Sequence, residues 1–335
     1  MSRILGKRTI EFTNTPYILE SAAVGSKFEK EGPLGKYFDH IFENPVADKE
    51  TWEQAESEFQ KTAISMALKK SNISQSELDF IFAGDLLNQC TGSTFGIKDL
   101  NTPFVGLYGA CSTMALSLIM GSIFIDSGIG KKVAAVTSSH FCSAEKQYRF
   151  PLEYGNQRPQ NAQWTATAAG AVILTQNPCS IKIKRATIGT IVDKGITDTN
   201  NMGAAMAPAA ADTILQYLKD TNTSPDDYDA IYTGDLGEVG SNILYKLCEK
   251  EIPNLSKFHK DCGLLLFDRE KQDVHSGGSG CGCSASVLST HILRGLKEKR
   301  LRNVLFCATG ALLSPTTAMQ GENIPGIAHL VNICI

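Results

Sequence analysis

The chain has 335 residues, 42% of them hydrophobic and 20% charged. That composition excludes a disordered or coiled-coil chain, and at about 150 residues per domain the length implies roughly two domains. Lys and Arg total 32 against 35 Asp and Glu, a formal charge of −3 that argues against wrapping nucleic acid.

In chain order, the opening segment MSRILGKRTIEF is charged and has no apolar core, so no signal peptide is expected. Lys61–Leu86 is then an amphipathic helix, a polar Asn/Ser stretch and a β-rich run closed by Gly84-Asp85-Leu86. It returns as Ala211–Leu236, offset by 150, with ten of 26 positions identical, including Asn72/Asn222, Asp79/Asp229 and both Gly-Asp-Leu triplets. Helix followed at once by strand implies α/β units around a mostly parallel sheet.

The run Thr102–Leu107 reads as a strand. Gly109-Ala-Cys-Ser turns it into Ser112–Asp126, apolar on nearly every face and therefore a buried helix. The longest apolar stretch here, Met114–Ile125, falls well short of the roughly 20 residues a membrane span needs, so a soluble or at most peripheral protein is expected. A basic turn and the strand Val133–Val136 follow. Gly280-Cys-Gly-Cys, a helix over about Ser284–Glu298, a basic turn and the strand Val304–Cys307 repeat that pattern at an offset of 171. The two offsets divide the chain into similar halves, 1–176 and 177–335. With no Pro/Ser-rich linker between them, the halves are expected to fuse into one five-layered α/β/α/β/α body.

Cys111 falls at the start of the buried helix, where free N–H groups and the positive dipole end favour a thiolate. That is the logic of a nucleophile elbow, and the plain alternative is a small cysteine chosen for its size. An acyl-transfer thiol also needs a base. By position His275 is the first candidate and His140 the second, unless both are ordinary surface-loop residues. Glu145–Trp164 reads as a loop of about 20 residues carrying Lys146, Arg149, Arg158, Tyr148, Tyr154 and Trp164, suited to an anionic aromatic ligand or to a subunit contact. Gly277-Gly-Ser-Gly-Cys-Gly lacks the Lys-Ser/Thr of a phosphate loop and reads as a turn that lets two helices approach. The ten cysteines include no CxxC pair, and the Cys281/Cys283 spacing does not suit a zinc knuckle, so free thiols in a reducing compartment, no metal and no cofactor are expected.

The duplicated halves and the Gly-Ala-Cys-Ser elbow resemble the thiolase superfamily. The strings GDLLNQCTGSTFGI, YGACSTMALSL, SSHFCSAEKQYRFPLEYGNQRPQNAQW and HSGGSGCGCSASVL resemble the stage V sporulation protein AD family over nearly the whole chain. The resemblance implies a thiolase-like fold with Cys111 at the nucleophile position and Cys307 at that of a second, acid/base cysteine. Cys281 stands where a His or Asn is expected, and the place of the synthase His falls near Glu238, so both proton-handling groups are missing. The implied role is non-catalytic binding of dipicolinic acid, free or as its calcium chelate, for uptake into the developing spore and release in germination. The implied setting is the cytoplasmic face of the spore inner membrane, beside other stage V sporulation A proteins, as a homodimer. Cys111, Thr137, Ser138, Ser139, His140, Arg149, Cys281 and Cys307 are the candidate ligand contacts. The alternatives are a Cys111-dependent thiolase or ketoacyl-synthase-type acyltransferase and a purely structural scaffold at the membrane.

Overall fold

The computed structural model describes residues 3–149 and 158–335. Ten strands carry the body. In the first half they are β1 (Tyr17–Ser26), β2 (Phe80–Gly84), β3 (Phe104–Gly106), β4 (Lys132–Ser139) and β5 (Ala168–Thr175). In the second they are β6 (Ile181–Thr187), β7 (Ala230–Thr233), β8 (His259–Asp261), β9 (Asn303–Ala311) and β10 (Gly326–Cys334). Their spatial orders, β3-β2-β4-β5-β1 and β8-β7-β9-β10-β6, are the same permutation. In each half the last strand in sequence, β5 or β10, runs antiparallel to both neighbours. The two sets join edge to edge where Tyr17 and Ile18 pair with Lys182 and Ile181.

The repeat holds in detail. Helices α1 (Trp52–Ser71) and α5 (Met202–Thr221) each have 20 residues, and Asn72 and Asn222 end them in the left-handed region with φ of 53° and 50°. Asparagine tolerates that conformation, and each cap N–H returns to the carbonyls of the last turn. Asp79 then accepts from the Lys131 and Lys132 amides, and Asp229 accepts from those of Arg302 and Asn303. These carboxylates hold the entry to β4 and to β9. Phe80 lies opposite Val133 and Ala230 opposite Val304, so the sequence offsets of 150 and 171 recur as strand register.

Helix α3 (Thr113–Asp126) is the buried helix. It packs on β2 and β4 of its own half and on β9 and β10 of the other. Met114, Leu118 and Ile119 are fully buried there, each contributing about 1.5–3 kcal/mol relative to exposure. Its counterpart starts earlier than the sequence suggests. α7 (Cys281–Val287) continues through a π-helical stretch, Leu288–Leu293, into the turn Arg294–Lys297. α7 lies on β4 and β5, where a Cβ on Gly170 would stand 2.5 Å from the Ala285 carbonyl oxygen. Outside, α1 with α2 (Thr91–Ile97) covers the first sheet region, and α5 with α6 (Gly237–Cys248) the second. Helix, sheet, paired central helices, sheet and helix form the five expected layers.

One local reading changes and another is extended. The stretch expected as a long loop from Glu145 begins inside a helix, α4 (Phe141–Arg149). The glycine-rich turn lets the helix Cys262–Leu266 approach α7, since a Cβ on Gly263 would lie 2.3 Å from the Gly278 carbonyl oxygen, and it also seats α7 against strand ends, where a Cβ on Gly282 would lie 2.2 Å from the Ala168 carbonyl oxygen.

Candidate functional site

Cys111 sits where β3 turns into α3. Ala110 adopts φ +48°, a conformation strained for a residue with a Cβ. Local bonds hold the turn: the Ser112 hydroxyl donates to the Gly109 carbonyl (2.6 Å) and the Thr113 hydroxyl to that of Ala110 (2.6 Å). From the other half, β9 presses on the turn at Gly310, where a Cβ would come within 2.4 Å of the Gly109 carbonyl oxygen. The result is a cysteine that is 9% exposed, at the floor of a cleft of about 60 Å³.

Apolar groups form most of the wall: Leu86, Ala144, Met202, Met206, Ala311 and Leu313. Tyr148, Gln163, Thr165, Ser279 and Glu145 add polar ones. Helix α4 brings Ala144, Glu145 and Tyr148. It is clamped to the loop after β2, since the Tyr148 hydroxyl and Gln147 Nε2 both donate to the Leu86 carbonyl and Gln147 Oε1 accepts from the Asn88 amide. Tyr108 lies beside it, its hydroxyl 3.4 Å from that of Tyr148.

Beneath Cys111 is Asp235, fully buried, from the second Gly-Asp-Leu triplet. Its carboxylate accepts from the Ser279 hydroxyl (3.0 Å), the Gly280 amide (2.8 Å) and the Thr309 hydroxyl (2.8 Å), and the Cys111 sulfur lies 4.0 Å from that Ser279 hydroxyl. Burial pushes Asp235 up, against the pull of these donors. Burial, and next the charge of Asp235, hold the Cys111 thiol well above the usual cysteine range. This reverses the thiolate expected at a helix start. The dipole end is worth about 0.3–1 kcal/mol, whereas full burial of a charge shifts a pKa by as much as 3–5 units even before a neighbouring anion is counted.

Asp85, from the first triplet, does different work. It accepts from the Leu87 amide, the Ser93 amide and the Ser93 hydroxyl within its own half. Beside it is buried Glu56, which accepts from the hydroxyls of Ser138 (3.3 Å) and Ser143 (2.6 Å). Burial, then the charge of Asp85, pushes Glu56 up to about 8.

The residues expected at the site divide sharply. Cys111 lines the cleft. Cys281 packs against it with Leu86 and Ala144, but its thiol donates to the Ser138 carbonyl (2.9 Å). Thr137 donates to the Cys281 carbonyl and Ser139 to that of Ala166, so both hydroxyls hold α7 and β5 in place. Ser138 belongs to the Glu56 network. His140 donates from Nε2 to the Pro45 carbonyl and accepts at Nδ1 from the Cys142 amide, which makes it neutral and engaged, and burial lowers its pKa. Cys307 is fully buried in the core of the second half with Leu305 and Leu330 and is not among the residues lining the cleft. His275 binds the Pro159 carbonyl and pairs with Asp273. Glu238, near which a histidine equivalent was expected, forms an ion pair with Arg269; the acid beside Cys111 is Asp235, three positions earlier. Lys146 pairs with Glu53 on the outer side of α4. Arg158 lies 4.8 Å above the Trp164 ring, which stacks on Phe141. Tyr154 and the Arg149 side chain lie outside the described residues.

None of the six histidines is among the residues lining the cleft. Among the described residues no group of three or more His, Cys, Asp or Glu could hold a metal ion. Asp235, Gln163, Met202, Met206 and Leu313 went unselected in the sequence. The repeated Gly-Asp-Leu was the one signal available, since an aspartate preserved in both copies at a strand end points to a buried acid.

A family model for stage V sporulation protein AD matches residues 6–334. Stage V sporulation protein AD of Bacillus subtilis (strain 168) is 43% identical over 327 residues, covering 98% of this chain and 96% of that protein. Among solved structures, 3-oxoacyl-[acyl-carrier-protein] synthase III from Aquifex aeolicus VF5 superposes with a TM-score of 0.58 at 13% identity, covering 96% of this chain and 100% of that one. Cerulenin-bound OleA from Xanthomonas campestris gives 0.62 at 11% identity, covering 97% and 98%. At such identities the likeness is one of fold, and the fold is thiolase-like.

Proposed function

The chain belongs to the stage V sporulation protein AD family, and from that premise we propose that it binds dipicolinic acid, free or as the calcium chelate, without chemical turnover. The role is to help move that ligand into the developing spore and to release it in germination. The observation that carries the non-catalytic part is the pairing of Cys111 with Asp235. A condensing thiol needs a base that removes its proton, and here the neighbour is a buried acid that keeps the proton on sulfur. Nor does any histidine line the cleft to serve as that base. What survives is a mostly apolar cleft with a few fixed polar groups, the usual form of a small-molecule site.

No helix among the described residues is long and apolar enough to cross a membrane. A peripheral place on the cytoplasmic face of the spore inner membrane, beside other stage V sporulation A proteins, fits that observation. A second copy fits the free edge at β3, which pairs on one side with β2 and leaves Phe95, Phe104 and Tyr108 exposed. Static light scattering showing a monomer at micromolar concentration would remove the dimer.

Isothermal titration calorimetry with dipicolinate, with and without calcium, tests the binding. Absence of heat at millimolar ligand overturns it. The elbow geometry itself favours the rival reading, an acyltransferase using Cys111. Incubation with acyl-CoA followed by intact-mass measurement separates the two. The binding reading expects no adduct, and a stable acyl adduct lost in Cys111→Ser would establish the enzyme.

A further inference from the structure

We propose that the seam between the two halves holds a second binding site, separate from the Cys111 cleft, for a small zwitterion of the α-amino acid class, with the Ser289 hydroxyl as a fixed polar contact. Such a site stands or falls independently of dipicolinate binding.

A cavity of about 310 Å³ opens where β1 and β6 pair, with Ile18 and Ile181 in its wall and no lining residue shared with the Cys111 cleft. That volume falls within the usual range of small-molecule sites. The opposite wall is the helix that continues α7. Its stretch Leu288–Leu293 is π-helical, whereas α3, the counterpart in the first half, is α-helical throughout. Such turns are rare and collect at functional sites. The hydroxyls along this helix show what the irregular turn does. Those of Ser284, Ser286 and Thr290 each donate to a carbonyl of the helix itself, at Cys281, Cys283 and Ser286. Ser289, which lines the cavity, has its hydroxyl oxygen buried and without a hydrogen-bond partner. A buried polar atom left unpaired is costly, and native structures keep few of them.

The rim of the cavity carries three cations and three carboxylates, joined in pairs. Lys297 meets Glu20 of β1 (2.6 Å), Arg294 meets Glu298 (2.7 Å) and Lys70 of α1 meets Asp39 (2.8 Å). All three pairs are partly exposed, and exposed pairs are worth little, so a ligand can exchange into them. A lone anion would take a cation and strand its carboxylate, and a lone cation would do the reverse. A molecule that carries a carboxylate and an ammonium side by side replaces both partners at once. Arg294 offers that carboxylate a planar fork, already oriented by its stacking 4.0 Å from the centre of the Tyr37 ring. Glu298 keeps Arg300 as a partner when Arg294 turns to the ligand. The Ser289 hydroxyl donates to the carboxylate or accepts from the ammonium. Leu19 and Leu293 supply an apolar wall for a short side chain.

The test is titration calorimetry on the full chain with three probes of one carbon skeleton: L-leucine, 4-methylpentanoate, which lacks the ammonium, and 3-methylbutylamine, which lacks the carboxylate. L-Leucine should bind at millimolar concentration or below, at least tenfold more tightly than either analogue. Ser289→Ala, which removes only the unpaired hydroxyl, and Arg294→Gln should each weaken leucine about tenfold, the effect of losing one hydrogen bond to a charged group. Both variants should titrate with dipicolinate as the wild type does, with circular dichroism checking the fold. Should Ser289→Ala fail to fold, Arg294→Gln and the three wild-type titrations decide. Absence of heat with leucine at millimolar concentration overturns the second site, as does leucine binding no tighter than the analogues. Folded variants that bind leucine like the wild type also overturn it, because the ligand would then sit elsewhere. None of these outcomes touches the binding of dipicolinate in the cleft.

Discussion

The two halves of this molecule are copies of one another in backbone and opposites in chemistry. Where the first half places Cys111 at its elbow, the same position of the second half, by the 171-residue offset, is Gly282. One elbow carries a side chain into a cleft, and the other is pressed so tightly under Ala168 that no side chain fits. The two Gly-Asp-Leu aspartates diverge likewise: Asp85 is satisfied within its own half, while Asp235 reaches across to Cys111. The lesson is that duplication preserves what the backbone needs, the Asn caps and the Asp79 and Asp229 clamps. A single site then arises from what each half supplies to the other.

The comparison breaks most visibly at Gly282. Gly282→Ala should overpack the second elbow, costing about 3 kcal/mol or more in urea unfolding, because both the Ala168 carbonyl and Ser139 Oγ stand within 2.7 Å of the new Cβ. Cys111→Ala, at the roomier elbow, should cost about 1 kcal/mol. Comparable losses at the two positions would show that the elbows are not packed differently.

Next in size are the clamps. Asp79→Ala and Asp229→Ala each strip the acceptor from two amides and should each cost about 1–3 kcal/mol, equally within error. Unequal costs would mean that the halves fold with different dependence on this contact.

The buried acids should separate in reactivity. Asp235→Asn removes the charge facing Cys111, so alkylation of Cys111 by iodoacetamide at pH 8 should quicken about tenfold, one pKa unit of thiol. Asp85→Asn should leave the rate unchanged. Equal rates in the two variants would remove Asp235 as the group that keeps Cys111 protonated.

The smallest effect is a slope. Glu56 holds its proton up to about 8 in the folded protein, against 4.5 for an unperturbed glutamate. The folded chain therefore binds more protons than the unfolded one between those values. The contribution of Glu56 to stability is complete below about pH 4.5 and is lost as the pH rises toward 8. Glu56→Gln should flatten that decline in a thermal-unfolding series over pH 5–8, and an unchanged slope would contradict it.

Much of this was legible in the chain. The 150-residue repeat, the buried central helix and the elbow at Cys111 are local patterns of periodicity and turn chemistry, and local patterns survive being read one residue after another. The cluster Thr137–His140 looked like a site because polar residues end a buried strand there. In the fold their hydrogen bonds hold α7, β5 and Glu56 in place, and nothing local separates a hydroxyl that faces a cleft from one that holds a helix.

The sequence by itself determined the two-fold architecture and the place of the thiol. Only the tertiary structure decided the character of that thiol and the shape of its cleft. Asp235 and Ser279 come up to Cys111, and Gln163 and Met206 join its cleft, from distant parts of the chain, while Cys307 stays in the buried core of the second half and does not line the cleft. Charge and desolvation act through space, so the chemistry of Cys111 is set by neighbours that no stretch of sequence around it contains.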